Sequence, residues 1–457
     1  MTPCKNHFPH VQPRRAALRV TNPEAAGIDI GAEEHWVCVP SERAAEPVRR
    51  FGTCTADLEA LADWLGVCGV TTVAMESTGV YWIPLYELLE VRGFQVVLVD
   101  ARQVARAPGR PKTDIKDCQW IQRLHSYGLL AGAFRPPDQV VVLRSYLRQR
   151  DMLVTYAAQH IQHMQKALEQ LNVKLTEVVS DITGVTGLRI IRAILAGQRE
   201  PAKLARHRDP RCQASEATIA RALQGNWREE HVFALRQALA LYEFYHQQIS
   251  DCDQAIEAHL RRFADRSAGR PLAYRPRRRK REANEPRFNA RARLYNLCGV
   301  DLTAIEGIDE TTALVVVSEI GTDMSRWPSR KHFASWLGLC PQHKISGGKI
   351  LSRRVRRGGS RAKRALRLAA RSLHHSQSAL GAFFRRIKSR HGTPLAITAA
   401  AHKLARLVYA LLKYGTEYVA QGMAEYEAKY RERKLKAMAR QAEQLGFQLV
   451  PAAAAGG

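Results

Sequence analysis

Four carboxylates and one serine are the side chains in this sequence whose types and spacing suit chemistry on a phosphodiester. Asp29 stands in GIDIG, where strand alternation puts it on the face opposite Ile28 and Ile30, so it must be solvated, paired or bound to a cation. Glu76 ends the apolar run TTVAME, at a strand's C-terminal edge, where an open α/β sheet presents side chains to a crevice. Asp114 and Asp117, in KTDIKDC, are three residues apart at the start of a helix and share one face. Taken singly, each has a structural explanation: a strand aspartate caps a turn, and Asp114 offsets a helix dipole. Taken as an ordered set, they suit two Mg²⁺ ions about 3.5–4 Å apart, one beside the attacking oxygen and one beside the leaving oxygen.

Ser346 lies far downstream, followed by Gly347 and Gly348 and then by Arg353, Arg354, Arg356 and Arg357. The glycines let a ligand approach the backbone, and a serine on a mobile loop beside clustered guanidinium groups can reach a phosphodiester whose charge they neutralise. So many like charges repel one another on a bare helix face unless a polyanion offsets them. These four arginines, with Lys112 ahead of the acidic pair, are the candidate nucleic-acid contacts. Between the two regions AIEGIDETTALVVVSEIG sets a glycine turn between helical stretches, and its N–H groups are a candidate phosphate contact.

The elements that must position these residues follow from periodicity. From 23 to 135 short apolar runs (GIDIGAEEHWVCVP, EPVRRF, TTVAMES, FQVVLVD) read as strands, and DLEALADWLG and WIPLYELLEVRG as helices, giving a hairpin followed by β-α-β units in an α/β domain. From 136 to 260 the spacing is heptad-like, with Leu147, Val154, Ile161 and Leu168 in one seam, Ala157, Met164 and Leu171 in another, and Leu235, Tyr242, Ile249 and Ile256 in a second run. Two long antiparallel helices, or a dimerising coiled-coil pair, are expected there. Residues 261–293 read as a basic linker or nucleic-acid contact, 294–425 as a mostly helical domain with the serine loop, and 426–457 as a charged helix with a disordered tail. Residues 1–22 read as a flexible basic tail.

Composition narrows the partners. Lys and Arg number 70 against 43 Asp and Glu, a formal charge of +27, which favours polyphosphates. The sequence shows no evident apolar run of the roughly 18 residues a spanning helix needs, so a soluble protein without a membrane partner is expected. The nine cysteines are odd in number, scattered and never C-x-x-C, which indicates neither a disulfide framework nor a zinc finger and suits a reducing cytoplasm.

The series GIDIG, AMESTG-YW, KTDIKDC, GNWREEHVFALRQALALYEFYHQQISDCD and IEGID…SEIG…WLGLCP…SGG…SRR resembles the DEDD transposases of the insertion-sequence 110 and 1111 group over roughly residues 23–420. The resemblance implies an N-terminal RuvC-like domain of the ribonuclease-H superfold carrying Asp29, Glu76, Asp114 and Asp117, and a C-terminal transposase domain whose Ser346 attacks DNA covalently. It further implies a recombinase in the bacterial cytoplasm, associated with the nucleoid. A noncoding bridge RNA would guide it to donor and target double-stranded DNA. It would act as a dimer through the coiled coil and as a tetramer in the synaptic complex, with one subunit's carboxylates meeting another's serine. One departure is the turn EGID, which sets Asp309 where the family's PGIG has glycine. Three rivals are a RuvC-like nuclease without a covalent serine, an ATP-binding protein whose first phosphate loop is GIDIG, and a non-enzymatic nucleic-acid scaffold.

Overall fold

The computed structural model describes residues 19–77, 79–104, 113–276, 284–352, 354–356 and 358–450. Lys112, Arg353 and Arg357, with residues 1–18 of the basic tail and the final PAAAAGG, lie outside the described residues. The chain divides into two compact units, 1–135 and 136–457.

The first unit is a five-stranded sheet in the order β3-β2-β1-β4-β5. Strands β1 (Ala25–Ile30), β2 (Glu34–Cys38) and β3 (Val48–Gly52) pair antiparallel, whereas β4 (Thr72–Glu76) and β5 (Gln95–Val99) continue from β1 in parallel. Helix α1 (Thr55–Val67) precedes β4, α2 (Trp82–Val91) precedes β5, and α3 (Ala101–Val104) and α4 (Asp114–Ser126) follow. The expected hairpin is extended by one strand. PSERAAEP, bounded by Pro40 and Pro47, is polar and turn-forming, so no helix separates β2 from β3.

Alternation divides the sheet into two faces. Ile28, Ile30, Val37, Val73, Met75 and Leu98 pack with Leu58, Leu61 and Leu65 of α1 and Leu85 and Leu89 of α2, each fully buried aliphatic side chain contributing roughly 1.5–3 kcal/mol. The opposite face is covered by α4 over a small cluster of Ala74, Val99, Val104 and Ile121. The C-terminal end of α4 is tied down by polar contacts. Asn22 Nδ2 donates to the His125 carbonyl at 2.8 Å, and Thr21 and Asn22 N–H both donate to the Ser126 carbonyl. Thr72 Oγ donates to the Gln95 carbonyl, which leaves its oxygen to accept from His125 Nε2 at 2.9 Å.

Among its described residues the second unit is mostly helical, with one hairpin. Helices α5 (Asp138–Gln170) and α10 (Glu229–Leu260) pack antiparallel, with Gln139 meeting His259, Arg150 meeting Asp253, and Tyr156 meeting Tyr245. The heptad positions are spent inside the chain: Leu168, Ala157, Met164, Leu171, Leu235, Tyr242 and Ile249 share one core. Four short helices, α6 (Leu175–Val178), α7 (Val185–Leu195), α8 (Pro201–Ala205) and α9 (Glu216–Ala222), cap the far end of the pair through Ile190, Ile191, Ile194, Leu204 and Ile219. A buried ion pair crosses the two long helices. Arg150 Nε reaches Asp253 Oδ1 at 2.7 Å and its Nη2 donates to the Asn284 carbonyl, while Arg287 N–H donates to Asp253 Oδ2.

Beyond it come α11 (Ala290–Cys298), α12 (Glu310–Ile320), α13 (Arg330–Trp336), the hairpin β6 (Lys344–Ser346) and β7 (Lys349–Ser352), then α14 (Arg361–Ser372), α15 (Ala379–His391), α16 (Thr393–Tyr414) and α17 (Thr416–Gln444). Helix α16 corrects the expectation that no run has the length and apolarity of a membrane span. Its mean hydropathy is 1.4, and by length and composition alone it passes. Half of that stretch is buried in the protein, where Ala400, Leu404, Val408 and Leu411 face α13, α14 and α15, so packing accounts for its apolar character.

His125 and His35 are both nearly inaccessible, and burial holds both imidazoles below their ordinary pKa of 6.5. A histidine kept neutral in the fold binds a proton more readily when unfolded, so its contribution is present above pH 6.5 and is lost as pH falls through the depressed folded value. Amide protection factors of β1 and β4, taken relative to the intrinsic rate at each pH, should therefore fall between pH 6.5 and 5, and His125→Gln should flatten that dependence. An unchanged slope in the variant would show that His125 does not couple.

Candidate active site

Asp29 reaches the site because its strand neighbours are committed elsewhere. Ile28 and Ile30 are buried in the α1–α2 core, which turns Asp29 to the α4 face beside Trp36 in the antiparallel register. On the other side the parallel register sets Gly27 beside Ala74 and Ile28 beside Met75, so Asp29 and Glu76, one step further along, share that face. Both are half-buried.

Helix α4 supplies the other two carboxylates. Thr113 caps it, its hydroxyl accepting from Lys116 N–H at 3.3 Å, and Asp114 and Asp117 fall in the first turn, where the exposed N–H groups favour negative charge. Asp114 is exposed and Asp117 is buried. The helix lies against bare backbone. A Cβ at Gly27 would stand 2.1 Å from Gln122 N and 2.6 Å from the Cys118 carbonyl oxygen, so only glycine allows the contact. Gly31 serves the β1–β2 turn, its N–H donating to the Glu34 carbonyl at 3.1 Å. Both glycines of GIDIG are thus explained by packing and turn geometry, which removes the ground for reading it as an ATP phosphate loop.

Asp29, Glu76, Asp114 and Asp117 line one cavity of about 490 Å³, together with Glu33, Glu34 and Trp36. Sequence reasoning missed Glu33 and Glu34, which look like ordinary turn acids. Their signal was position, immediately after the strand bearing Asp29. Glu34 also accepts from Trp36 Nε1 at 2.9 Å and pairs with Arg50 at 3.1 Å. Beneath the floor Cys118 and Cys38 lie together. Hydrogen bonding to Cys38, burial and the nearby Asp29 charge push the Cys118 thiol well up, while the same hydrogen bond pulls Cys38 down.

Among the described residues, the charged side chains that line the cavity are all carboxylates, the hard oxygen donors that divalent Mg²⁺ or Ca²⁺ takes. Among the described residues no three Asp, Glu, His or Cys side chains are gathered closely enough to hold an ion as they stand. A divalent cation would offset the mutual repulsion of carboxylates brought to ligand distance. The residue types and common cavity fit a metal, and the liganding geometry would form on binding.

Ser346 belongs to the second unit and ends β6. Gly347 and Gly348 have φ of +53° and +74°, the two left-handed positions of a tight hairpin turn, and Ser346 pairs with Lys349 across it. A two-residue hairpin turn thus stands where a loop was expected. The side chain is exposed and has no hydrogen-bond partner among the described residues. Arg354 and Arg356, both exposed, lie in an extended link and not on a helix, because Pro341 bridges Val355 and Gln342 N–H donates to the Arg354 carbonyl. Buried Lys363 holds that link from α14, its Nζ donating at 2.9 Å to the carbonyls of Arg356 and Gly358. Burial, then Arg367 and Arg356, lower the Lys363 pKa. The EGID turn has Gly307 at φ +88°, but the Asp309 carboxylate caps α12 by accepting from Thr312 N–H at 2.7 Å. One donor expected to face a phosphate is consumed there, and the cap itself is anionic.

Residues 26–173 match a family model described as Transposase (DEDD_Tnp_IS110), and residues 299–385 match one described as Transposase IS116/IS110/IS902 family. The first match contains all four carboxylates and the second contains Ser346. An "Insertion element IS110 uncharacterized 43.6 kDa protein" of Streptomyces coelicolor is 34% identical over 152 residues, which are 32% of this chain. The match spans 36% of that relative's length.

If α4 reaches the site only because Gly27 lacks a side chain, Gly27→Ala should destabilise the first unit by about 1–3 kcal/mol or more, the ordinary cost of overpacking. Denaturant unfolding monitored on that unit measures this, and wild-type stability would rule out the close approach.

Proposed function

Because the chain belongs to the IS110 family of transposases, we propose that it cuts and rejoins DNA to move an insertion sequence, using divalent metal at Asp29, Glu76, Asp114 and Asp117 and a covalent step at Ser346. The observation that carries the reading is the shared cavity of those four carboxylates, inside the segment that matches the DEDD model. The first unit is then a RuvC-like catalytic domain of the ribonuclease-H superfold, and residues 294–425 a transposase domain. Two Mg²⁺ ions, when bound, would neutralise phosphoryl charge and stabilise the attacking and leaving oxygens.

The chain's own residues supply position. Asp29 and Glu76 project from strands fixed on their other face by the core, and Asp117 from a helix fixed by Gly27. Ser346, at the corner of a two-glycine hairpin, presents an exposed hydroxyl. In the covalent step its Oγ–P bond forms as one P–O ester bond of the strand breaks. The hydroxyl proton is released and the departing strand oxygen takes up a proton, so the phosphodiester count is conserved and rejoining needs no nucleotide cofactor. Arg354 and Arg356, with Arg353, Arg357 and Lys112, are proposed to neutralise the strand.

Guidance by a noncoding RNA, with double-stranded donor and target DNA, is part of the proposal, and the +27 charge supports polyanionic partners. Assembly into dimers and tetramers completes it. Since the α5–α10 seam is filled within the chain, a dimer contact on this pair would use apolar side chains outside it, such as the exposed Phe233, Leu241 and Phe244.

Asp29→Asn with Glu76→Gln should reduce strand cleavage by at least about 100-fold while DNA binding persists, and should abolish any Mg²⁺-dependent rise in thermal stability, a rise expected to reach about 2.7 kcal/mol at 100 times the dissociation constant. Full cleavage by this variant would end the metal assignment. Ser346→Ala should remove the denaturant-resistant protein–DNA adduct. Strand joining that survives in this variant would favour a nuclease acting through water.

A further inference from the structure

Helix α14 carries a second basic feature that the serine hairpin does not explain. Its buried side chains, Ala362, Ala365, Leu366, Ala369 and Ala370, face α12 and α16. Arg364, Arg367 and Arg371 project from the other side, at i, i+3 and i+7, all exposed. Several other arginines are held by carboxylates, Arg92 by Glu59 and Asp63, Arg192 by Glu243, Arg261 by Glu257, and on this same helix Arg361 by Asp151. Arg364, Arg367 and Arg371 have no salt-bridge partner among the described residues. The stripe lines a groove of about 520 Å³ that Gly358, Gly359 and Ile397 complete, with Leu368 63% exposed between the guanidinium groups.

We propose that Arg364, Arg367 and Arg371 form a track for the phosphate backbone of the DNA strand offered to Ser346, a reading that rests on the proposed strand transfer. Seven residues of helix rise about 10 Å, and a DNA strand carries one phosphate per about 3.4 Å of axis, so the track spans about three phosphates. The occupant is DNA because the stripe follows the serine hairpin in the chain and its connection to α14 is tied down by named contacts. Between β7 and α14, Val355 bridges Pro341, and the Arg356 and Gly358 carbonyls accept from Lys363 Nζ. A strand lying on the track is therefore positioned relative to Ser346 by backbone contacts. Leu368 and Ile397 give the groove an apolar strip for sugar carbons, which no sequence code requires.

The test uses the full chain and a labelled random-sequence DNA duplex, with binding measured across salt concentrations. Each phosphate contact contributes about 0.9 to the slope of log affinity against log salt. Replacing all three arginines with glutamine should lower that slope by about 2–3 and weaken binding at least tenfold, with the melting temperature unchanged. Arg92→Gln should leave the slope as in wild type. The three single variants, each expected to remove about one unit, decide the matter if the triple variant folds poorly. A slope change below one in the triple variant, a similar change in Arg92→Gln, or a loss confined to a single-stranded RNA probe would overturn the assignment. Failure of the strand-transfer reading looks different: wild type would bind through the track and cut nothing.

Discussion

The approach of α4 to β1 at Gly27 is the contact on which the site depends. A helix normally packs on a sheet through side chains, about 10 Å away, and carboxylates on such a helix would stand clear of the strand ends. Here the Gln122 amide and Cys118 carbonyl lie where a Cβ would be. Asp114 and Asp117 come down to line the same cavity as Asp29 and Glu76. The anchors at the far end of the helix, His125 to Thr72 and the chain at Thr21 and Asn22 to Ser126, hold it from sliding away. Backbone packing and polar contacts remote from the cavity therefore hold the helix beside it.

Much of this was legible because periodicity and alternation are local properties. Ile28-Asp29-Ile30 needs no partner to reveal which face is polar, and the apolar runs of β1, β4 and β5 announce themselves. What escaped reading depends on partners far along the chain. Gly27 looks like a phosphate-loop glycine until Gln122, distant in sequence, is found against it. Glu33 and Glu34 become cavity residues only through the turn that follows β1. A heptad seam states that a helix will be covered but not by what, and α5 is covered by α10 of the same chain.

The serine region shows the same division. Two consecutive glycines marked a loop open to a ligand, but whether that loop closes a hairpin depends on the strands on either side, and Lys344–Ser346 and Lys349–Ser352 are too short to register as strands by pattern. The arginine run suggested a helix face. Its described members instead lie in an extended link, because the chain must travel from β7 to the α14 cap at Ser360, whose hydroxyl accepts from Lys363 N–H. Placing a lysine amine in the interior is costly unless its donors are used, and two backbone carbonyls use them.

The buried pair of Arg150 and Asp253 has a meaning beyond its own energy. Apolar seams that repeat every seven residues are nearly self-similar, and two long helices joined through a small cap could slide by a heptad with little loss of apolar contact. Arg150 meets Asp253 in a single alignment, and any other would bury two charges without partners, a cost of about 3–5 kcal/mol for a broken pair. The pair also fixes Asn284 and Arg287, so the start of α11 is placed by the same alignment. The ion pair thus acts as a vernier, converting a repetitive interface into a unique length and passing that length on to the serine-bearing half of the unit.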